Sequence, residues 1–521
     1  MNTIFIVGIG GTGMKCLESF VHLCAMGMFD NHEVHILALD TDIQNGNFAQ
    51  LQKIIKYYND VKGSNKTTTS NSFFTAKINL YSFSPNYSTD DTNTFQNITG
   101  LTTTLDTTTT DLANAFFTKD VQQFNLLHGY RAQTHIGSML MYHALVEAGK
   151  DTQSDVYKFV NFLNLSINHN PRVFVMGSVF GGTGASSIPI LPLALNEICK
   201  INYNITLDQA RFGAILLTHY FTFIGASDVK KKEQKVIADA ANFAINSQAA
   251  LMFYEKDNTV KNTYKRFYTL GIEANKPRIS VSKTEAEPIT GGASQKNDAH
   301  YIELVAAGAA YDFFTSDNDN SYNVMSANEP FYLYREMDSN AKLEFKDIIN
   351  NDEFVKKCTL LTAMSFLVNL DMTDFFKAAQ MNLLVREEVQ GYTAITHEQV
   401  TALKNYFSYF HFKVDNGQVG NGWLRNIHQS VGGNNNLFFS TKMYGDTLDS
   451  LNKFEFQEIF NDKAYIRHNF KGGRIFSGNS RDAFDKFKGT FKSKSEDGTV
   501  QNPAERLVKR MYDTLQELYS F

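Results

Sequence analysis

The sequence predicts an α/β protein built on a parallel β-sheet. Two short apolar runs, at residues 3–7 (TIFIV) and 172–176 (RVFVM), each lead into a glycine-rich loop and then into a helical pattern. Two more strand-like runs, at residues 35–39 and 212–218, follow helical patterns. Continuous apolar runs are typical of strands buried on both faces, and their alternation with helices is typical of a parallel sheet.

Length and composition limit the function classes. The chain has 521 residues, enough for two or three domains, and 43% hydrophobic residues support real cores. A net charge of −5 argues against nucleic acid or an anionic membrane as the main partner. No run approaches ~18 apolar residues, so we expect no membrane span. Four cysteines without metal-ligand spacing favour a reducing cytoplasm.

The first glycine loop, residues 8–13, reads GIGGTG and precedes a helix predicted over residues 14–26. Glycines let backbone N–H groups approach a phosphate, and the helix start adds unsatisfied amides and a positive dipole end. Alone, this loop also fits the dinucleotide fingerprint G-x-G-x-x-G, with Asp40 or Asp42 following the second strand. A Walker-type loop is disfavoured because no G-x-x-x-x-G-K-[ST] string passes through Lys15.

The second glycine loop, residues 181–187, reads GGTGASS and precedes a helix predicted over residues 188–198. A dinucleotide fold needs one pyrophosphate loop, so a second one this far along the chain favours a nucleotide held between two backbone cradles. Because ligands of open parallel sheets bind at the carboxyl ends of strands, we expect both loops at one edge.

The remaining segments follow in a fixed order. Residues 63–111 are rich in Thr, Ser and Asn and are predicted to be a polar insertion. Residues 129–137 contain Arg131 between two glycines, from where its guanidinium can reach an anion. A long helix is predicted over residues 295–314, and an amphipathic helix over residues 503–519 ends the chain.

In this order the loops resemble those of the tubulin/FtsZ superfamily, most closely the bacterial tubulin-like proteins. The family signature G-G-G-T-G-[ST]-G reads FGGTGAS over residues 180–186, where Phe180 and Ser186 replace the outer glycines. Residues 6–13, 38–44 (ALDTDIQ) and 129–137 are similar to the first three loops of the family, and residues 217–221 to the strand end near the ribose. The resemblance covers about residues 1–315.

The resemblance implies a Rossmann-type, tubulin/FtsZ-like GTP-binding domain over residues 1–295. A long central helix and its following loop would occupy residues 296–316, and a smaller α+β domain residues 317–521. GTP or GDP, with Mg²⁺, would be the cofactor, and a second copy stacked head to tail into a filament would be the partner.

The resemblance also implies site residues. Asp42 would lie near phosphate or magnesium, and Asn297, near the start of the central helix, would read the guanine. The implied nucleotide-binding residues are Gly10, Gly11, Thr12, Gly13, Asp42, Gln44, Arg131, Gly181, Gly182, Thr183, Gly184, Ala185 and Asn297.

Hydrolysis of GTP is left open by the sequence. In the family, an acidic loop after the central helix of one subunit completes the site of the next. Here residues 313–320 read FFTSDNDN, so Asp317 and Asp319 are the implied catalytic residues, although their spacing differs from the N-x-D-x-x-D of FtsZ. Two other functions stay open: a non-polymerising, nucleotide-regulated scaffold or switch, and an NAD(P)-dependent oxidoreductase.

Overall fold

The computed structural model describes the chain in separate ranges. They are residues 2–42, 44–63, 71–85, 93–101, 107–126, 129–130, 133–221, 242–272, 293, 295–316, 330–337, 348–349, 352–369, 397–431, 487, 489–491, 493–494, 500 and 503–519.

Within the described residues, seven parallel strands form the central sheet, and four of them lie at the predicted apolar runs. They are β1 (Asn2–Ile9), β2 (His32–Leu39), β3 (Lys77–Phe83), β4 (Arg172–Ser178), β5 (Arg211–Leu217), β6 (Tyr264–Ile272) and β7 (Phe331–Met337). Their order across the sheet is β3-β2-β1-β4-β5-β6-β7. The predicted α/β class with a parallel, Rossmann-like sheet is therefore confirmed. A short antiparallel hairpin, β8 (Phe412–Asp415) and β9 (Gln418–Asn421), stands apart from it.

Helices cover both faces of the sheet. They are α1 (Gly10–Ala25), α2 (Gly46–Lys62), α3 (Phe95–Ile98), α4 (Thr107–Phe116), α5 (Lys119–Gln123), α6 (Thr134–Lys150), α7 (Asp155–Leu165), α8 (Gly182–Ser187), α9 (Leu191–Tyr203), α10 (Phe243–Lys256), α11 (Asn258–Thr263), α12 (Tyr301–Thr315), α13 (Asp352–Asn369), α14 (His397–Phe410), α15 (Trp423–Ser430) and α16 (Pro503–Tyr519). No helix in the described ranges is long and apolar enough to cross a membrane.

Two hydrophobic cores lie on opposite faces of the sheet because successive strand side chains point in opposite directions. On β1, Ile4 and Ile6 join a core with α1, α2 and α12–α16, whereas Phe5 and Val7 join a core with α6, α7 and α9. The larger core thus ties the carboxyl-terminal helices to the helices beside the first glycine loop.

Several elements differ from the sequence-based expectation. The helix predicted over residues 188–198 begins at Leu191, and the second glycine loop before it forms the short helix α8. Residues 77–83, inside the predicted polar insertion, form the sheet strand β3, whose Ile78 and Tyr81 are buried. The predicted long helix begins at Tyr301 instead of residue 295, because His300 and Glu303 form a capping box there. Strand β7, which follows the central helix, pairs with β6. The proposed domain limits at residues 295 and 317 stay a prediction.

Candidate functional site

Four loops meet at the carboxyl edge of β1, β2 and β4. The Thr41 and Thr183 hydroxyl oxygens lie 3.0 Å apart, which joins the loop after β2 to the second glycine loop. A Cβ built on Gly10 would lie 3.5 Å from the Thr183 Cβ, and one on Gly129 would lie 3.0 Å from the Thr41 Oγ1. The loops that the sequence places at one edge are therefore in contact.

The first glycine loop turns directly from β1 into α1. Gly10 has a φ of +68°, a conformation that L side chains rarely adopt. Ile9, the N-cap of α1, makes no side-chain capping hydrogen bond, and neither does Gly181, the N-cap of α8. Helix starts without a side-chain cap leave N–H donors for another acceptor, and an anion is a suitable one.

Several of the predicted glycine contacts are packing contacts in the structure. A Cβ on Gly13 would lie 2.7 Å from the Met176 carbonyl oxygen, and one on Gly184 would lie 2.3 Å from the Ser178 carbonyl oxygen. Ala185 is buried, and its carbonyl accepts a 2.7 Å hydrogen bond from the Tyr254 hydroxyl. These three residues let the helices approach the strands, whereas Gly10, Gly11 and Thr183 line the edge.

A polar cluster lies beside Gly11. The Asn45 Nδ2 donates to Asp40 Oδ2 at 3.1 Å and to Gln295 Oε1 at 2.9 Å. The backbone N–H of Asn297 donates to Asn47 Oδ1 at 2.8 Å. Residues from the loop after β2 and from the segment before α12 are thus joined, and Asn297 lies before the central helix rather than in it.

Two buried polar atoms in this cluster have no hydrogen-bond partner among the described residues. They are the Asn47 Nδ2, a donor, and the Asn297 Oδ1, an acceptor. Buried polar atoms are nearly always paired, so an unpaired donor and acceptor close together indicate a place for a ligand. The edge of a nucleobase, which carries both donors and acceptors, fits such a pair.

The acidic residues after β2 are held in a tight turn. Asp40 Oδ1 accepts a 3.2 Å hydrogen bond from the Asp42 N–H, and Asp42 Oδ1 accepts a 3.0 Å bond from the Gln44 N–H. Burial raises the pKa of Asp40 to about 7, and the neighbouring Asp42 charge adds to that rise. No group of three metal-ligating side chains occurs among the described residues, so the side chains around Asp42 do not form a magnesium site by themselves.

A buried charge network, which the sequence reasoning missed, lies behind the first glycine loop. Lys15 forms an ion pair with Glu18 inside the larger core, and Glu303 of α12 accepts a 2.7 Å hydrogen bond from the Tyr220 hydroxyl. Burial alone would lower the pKa of Lys15, but the charges of Glu18 and Glu303 outweigh it and raise that pKa. Burial raises the pKa of Glu303 to about 7, although Lys15 opposes the rise.

A signal for this network was present in the sequence. Lys15 and Glu18 are three residues apart in the helix predicted over residues 14–26, a spacing that places the two charges side by side on one helix face. What the sequence did not show is the third member, Glu303, which lies 285 positions further along the chain than Glu18.

The other predicted site residues divide into two groups. Gln44 is exposed beside Asp42, Thr12 lies in the first turn of α1, and Gly182 is the first residue of α8. Arg131, Asp317 and Asp319 lie outside the described residues. The acidic loop that the resemblance links to hydrolysis therefore stays a prediction.

The fold and the site define the class: an α/β protein with a Rossmann-like parallel sheet and two glycine-led helix starts at one edge. No protein-family model and no curated protein matches this chain.

Proposed function

We propose that this chain is a tubulin/FtsZ-like GTP-binding protein that associates head to tail with further copies. The observation that carries the proposal is the contact between the two glycine loops, in which Gly10 lies against Thr183. Thr41 and Gly129 lie beside Thr183 at the same edge. A nucleotide triphosphate held there would receive backbone N–H donors from two helix starts on the neighbouring strands β1 and β4.

The polar cluster beside Gly11 supports a base-binding role. The unpaired Asn297 Oδ1 suits the N–H groups of guanine, and the unpaired Asn47 Nδ2 suits its carbonyl oxygen. The preference for guanine over adenine comes from the family resemblance, since an adenine edge also offers both a donor and an acceptor. The test must therefore compare GTP with ATP.

The proposed hydrolysis and assembly rest on the resemblance. Head-to-tail stacking would bring Asp317 and Asp319 of one copy toward the γ-phosphate of the next, where a carboxylate can orient the attacking water. Asp42 would share the magnesium ion with the phosphates.

The dinucleotide alternative receives less support. Asp40 lies directly after β2, where a Rossmann oxidoreductase places the acid that binds the ribose. Both carboxylate oxygens of Asp40, however, accept hydrogen bonds from its own loop, from the Asp42 N–H and the Asn45 side chain. The second glycine loop would also have no task in hydride transfer.

The experiment combines ligand analysis with assembly. Mass spectrometry of the nucleotide released from purified protein identifies the ligand, and titration gives Kd for GTP, ATP and NAD. We expect tight GTP binding, a loss of about tenfold in Asn297→Ala, which removes a base contact of about 1.4 kcal/mol, and no change in Asn168→Ala, an exposed asparagine on the opposite edge. A released dinucleotide would contradict the proposal.

Assembly needs its own measurement. Light scattering and electron microscopy with GTP and with GDP should show filaments that depend on GTP. If GTP binds and no assembly follows, the non-polymerising switch is favoured instead. Asp317→Ala with Asp319→Ala should then leave any turnover unchanged, whereas a filament GTPase would lose it.

A further inference from the structure

A second cleft lies between α10 and the strands β5, β6 and β7. Its volume is about 590 Å³, within the range of about 300–1,000 Å³ that is typical of small-molecule sites. One wall is a single face of α10, because Ser247, Leu251 and Glu255 recur every four residues. Phe267 of β6 and Tyr332 of β7 form the floor.

Helix α10 is fixed by its contacts with the second glycine loop. The Phe243 and Phe180 rings lie 4.7 Å apart, and the Tyr254 hydroxyl donates to the Ala185 carbonyl at 2.7 Å. The sheet face of β7 beyond the helix is open, since Tyr334, on the same side as Tyr332, is 87% exposed. The cleft is therefore a gap between layers, distinct from the polar cluster beside Gly11.

The cleft carries more acidic than basic groups. Its lining includes two carboxylates, Glu255 of α10 and Glu336 of β7, and one histidine, His219, and contains no lysine or arginine among the residues described. Glu336 and Tyr332 share one face of β7 because they are four positions apart in a strand. A ligand in the cleft would meet negative charge at the helix wall and at the outer strand.

The aromatic residues on the floor of the cleft can contact a cation as well as the apolar part of a ligand. The Phe267 and Tyr332 rings are stacked, with centroids 5.9 Å apart and an angle of 18° between their planes. On the opposite face of the same strands, the Arg266 guanidinium lies 5.7 Å from the Phe331 ring centroid. This strand pair thus already carries one cation–π contact.

We propose that this cleft binds an organic cation with an apolar, preferably aromatic, body. The apolar walls and stacked rings would cover the body, and Glu255 and Glu336 would attract the charge. None of the four residues Glu255, Glu336, Phe267 and Tyr332 is implied in nucleotide binding, although Thr218 and His219 of the lining belong to the strand end that the resemblance places near the ribose.

The test uses two probes that share one skeleton. Berberine is a flat aromatic cation whose fluorescence rises in an apolar site, and oxyberberine is its neutral lactam. Titrated into the full chain at low salt, berberine should bind saturably and at least about tenfold more tightly than oxyberberine. Absence of saturable berberine binding below about 1 mM, or equal affinity for the two probes, would overturn the proposal.

Variants locate the site. Glu255→Gln and Glu336→Gln should each weaken berberine binding by about three- to fivefold, as exposed ion pairs do, and leave oxyberberine unaffected. The matched control is Glu398→Gln, an exposed carboxylate at the start of α14. Tyr332→Leu should weaken berberine by a similar factor. A double glutamine variant that keeps the preference for berberine would overturn the assignment, provided that its thermal unfolding matches the parent.

A second copy of this chain is the competing occupant of the cleft. If a second copy covers the cleft, the apparent Kd for berberine will rise with protein concentration, and sedimentation will show a dimer that the probe dissociates. That result would overturn the ligand proposal, whereas a concentration-independent Kd supports it.

Discussion

The two glycine loops carry nearly the same sequence motif but rest on different supports. Behind the first, the helix α1 buries an ion pair, Lys15 with Glu18, and meets Glu303 of the central helix. Behind the second, the short helix α8 is held by neutral groups: the Tyr254 hydroxyl donates to the Ala185 carbonyl, and the Ser138 hydroxyl to the Ser186 carbonyl at 2.8 Å. One loop depends on charge, and the other on hydroxyl hydrogen bonds.

The two supports also differ in what they connect. Helix α1 contacts the carboxyl-terminal helices, where the Trp423 indole N–H donates to the Ser19 hydroxyl at 3.2 Å. The central helix is fixed in turn by the Tyr301 N–H, which donates to the Ser430 hydroxyl at 2.8 Å. The second loop contacts α6 and α10 on the other face of the sheet. A structural change at the first loop can therefore be transmitted to the carboxyl-terminal helices, through contacts that the second loop does not make.

The largest expected effect comes from breaking the charged support. Lys15→Met should lower the free energy of unfolding by about 3–5 kcal/mol, because it leaves Glu18 buried without its partner. Chemical denaturation measures this loss. Lys150→Met is the control, since Lys150 forms an exposed ion pair with Glu147 and its loss should leave the stability nearly unchanged.

A double variant sharpens the test of that support. Adding Glu18→Gln to Lys15→Met removes the unpaired charge and should recover a large part of the loss. Equal losses in the single and double variants would show that packing, not charge, supports the first loop.

The next effect concerns close packing at the second loop. Gly184→Ala should cost about 2–3 kcal/mol and weaken nucleotide binding, because the new Cβ would lie 2.3 Å from a backbone oxygen of Ser178. Gly181→Ala is the matched control, since its Cβ would meet only the Ser178 hydroxyl, at 3.2 Å. Unfolding curves of both variants measure the difference, and equal losses of stability would refute the packing role of Gly184.

The third effect is a pH dependence that belongs to the first loop. The pKa of Glu303 is about 7 in the folded protein and about 4.5 when unfolded, so the folded state binds the extra proton between these values. Stability is then lost as the pH rises from about 4.5 to about 7, with a slope of at most about 1.4 kcal/mol per pH unit for one proton.

Glu303→Gln should flatten this slope, because glutamine cannot titrate. Unfolding measured at a series of pH values checks it. Asp40, whose pKa is also about 7, contributes with the same sign, so Asp40→Asn should flatten the profile further. Substitution of Tyr254 should leave the slope unchanged, and an unaltered slope in Glu303→Gln would contradict the assignment.

The parallel sheet and the meeting of the glycine loops were predictable because both depend on local patterns. Four apolar runs gave strands β1, β2, β4 and β5, and the carboxyl-end rule placed their loops at one edge. The terminal helix α16 matches its predicted bounds, since its amphipathic pattern is strong. Local sequence patterns therefore predict these strands, the terminal helix and the sheet edge at which the glycine loops meet.

What escaped prediction depends on contacts between distant residues. β3 was hidden in the Thr-rich segment because only Ile78 and Tyr81 of its seven residues are buried, a weak pattern typical of an edge strand. The start of α12 was misjudged because histidine is not one of the usual N-cap residues, so His300 gives no sequence signal for a helix start. Glu303 joined Lys15 only through the tertiary fold.

The smallest effect tests the hydroxyl support of the second loop. Tyr254→Phe removes the 2.7 Å hydrogen bond to the buried Ala185 carbonyl and should cost about 1 kcal/mol at every pH, since no charge is involved. Tyr203→Phe is the control, because that hydroxyl donates to an Asn161 side chain at the half-buried surface and should cost less. Thermal unfolding of both variants measures the difference. A loss of stability in Tyr254→Phe that changes with pH would contradict this expectation. The second loop would then depend on charged groups, as the first does, and the two loops would not differ in their support.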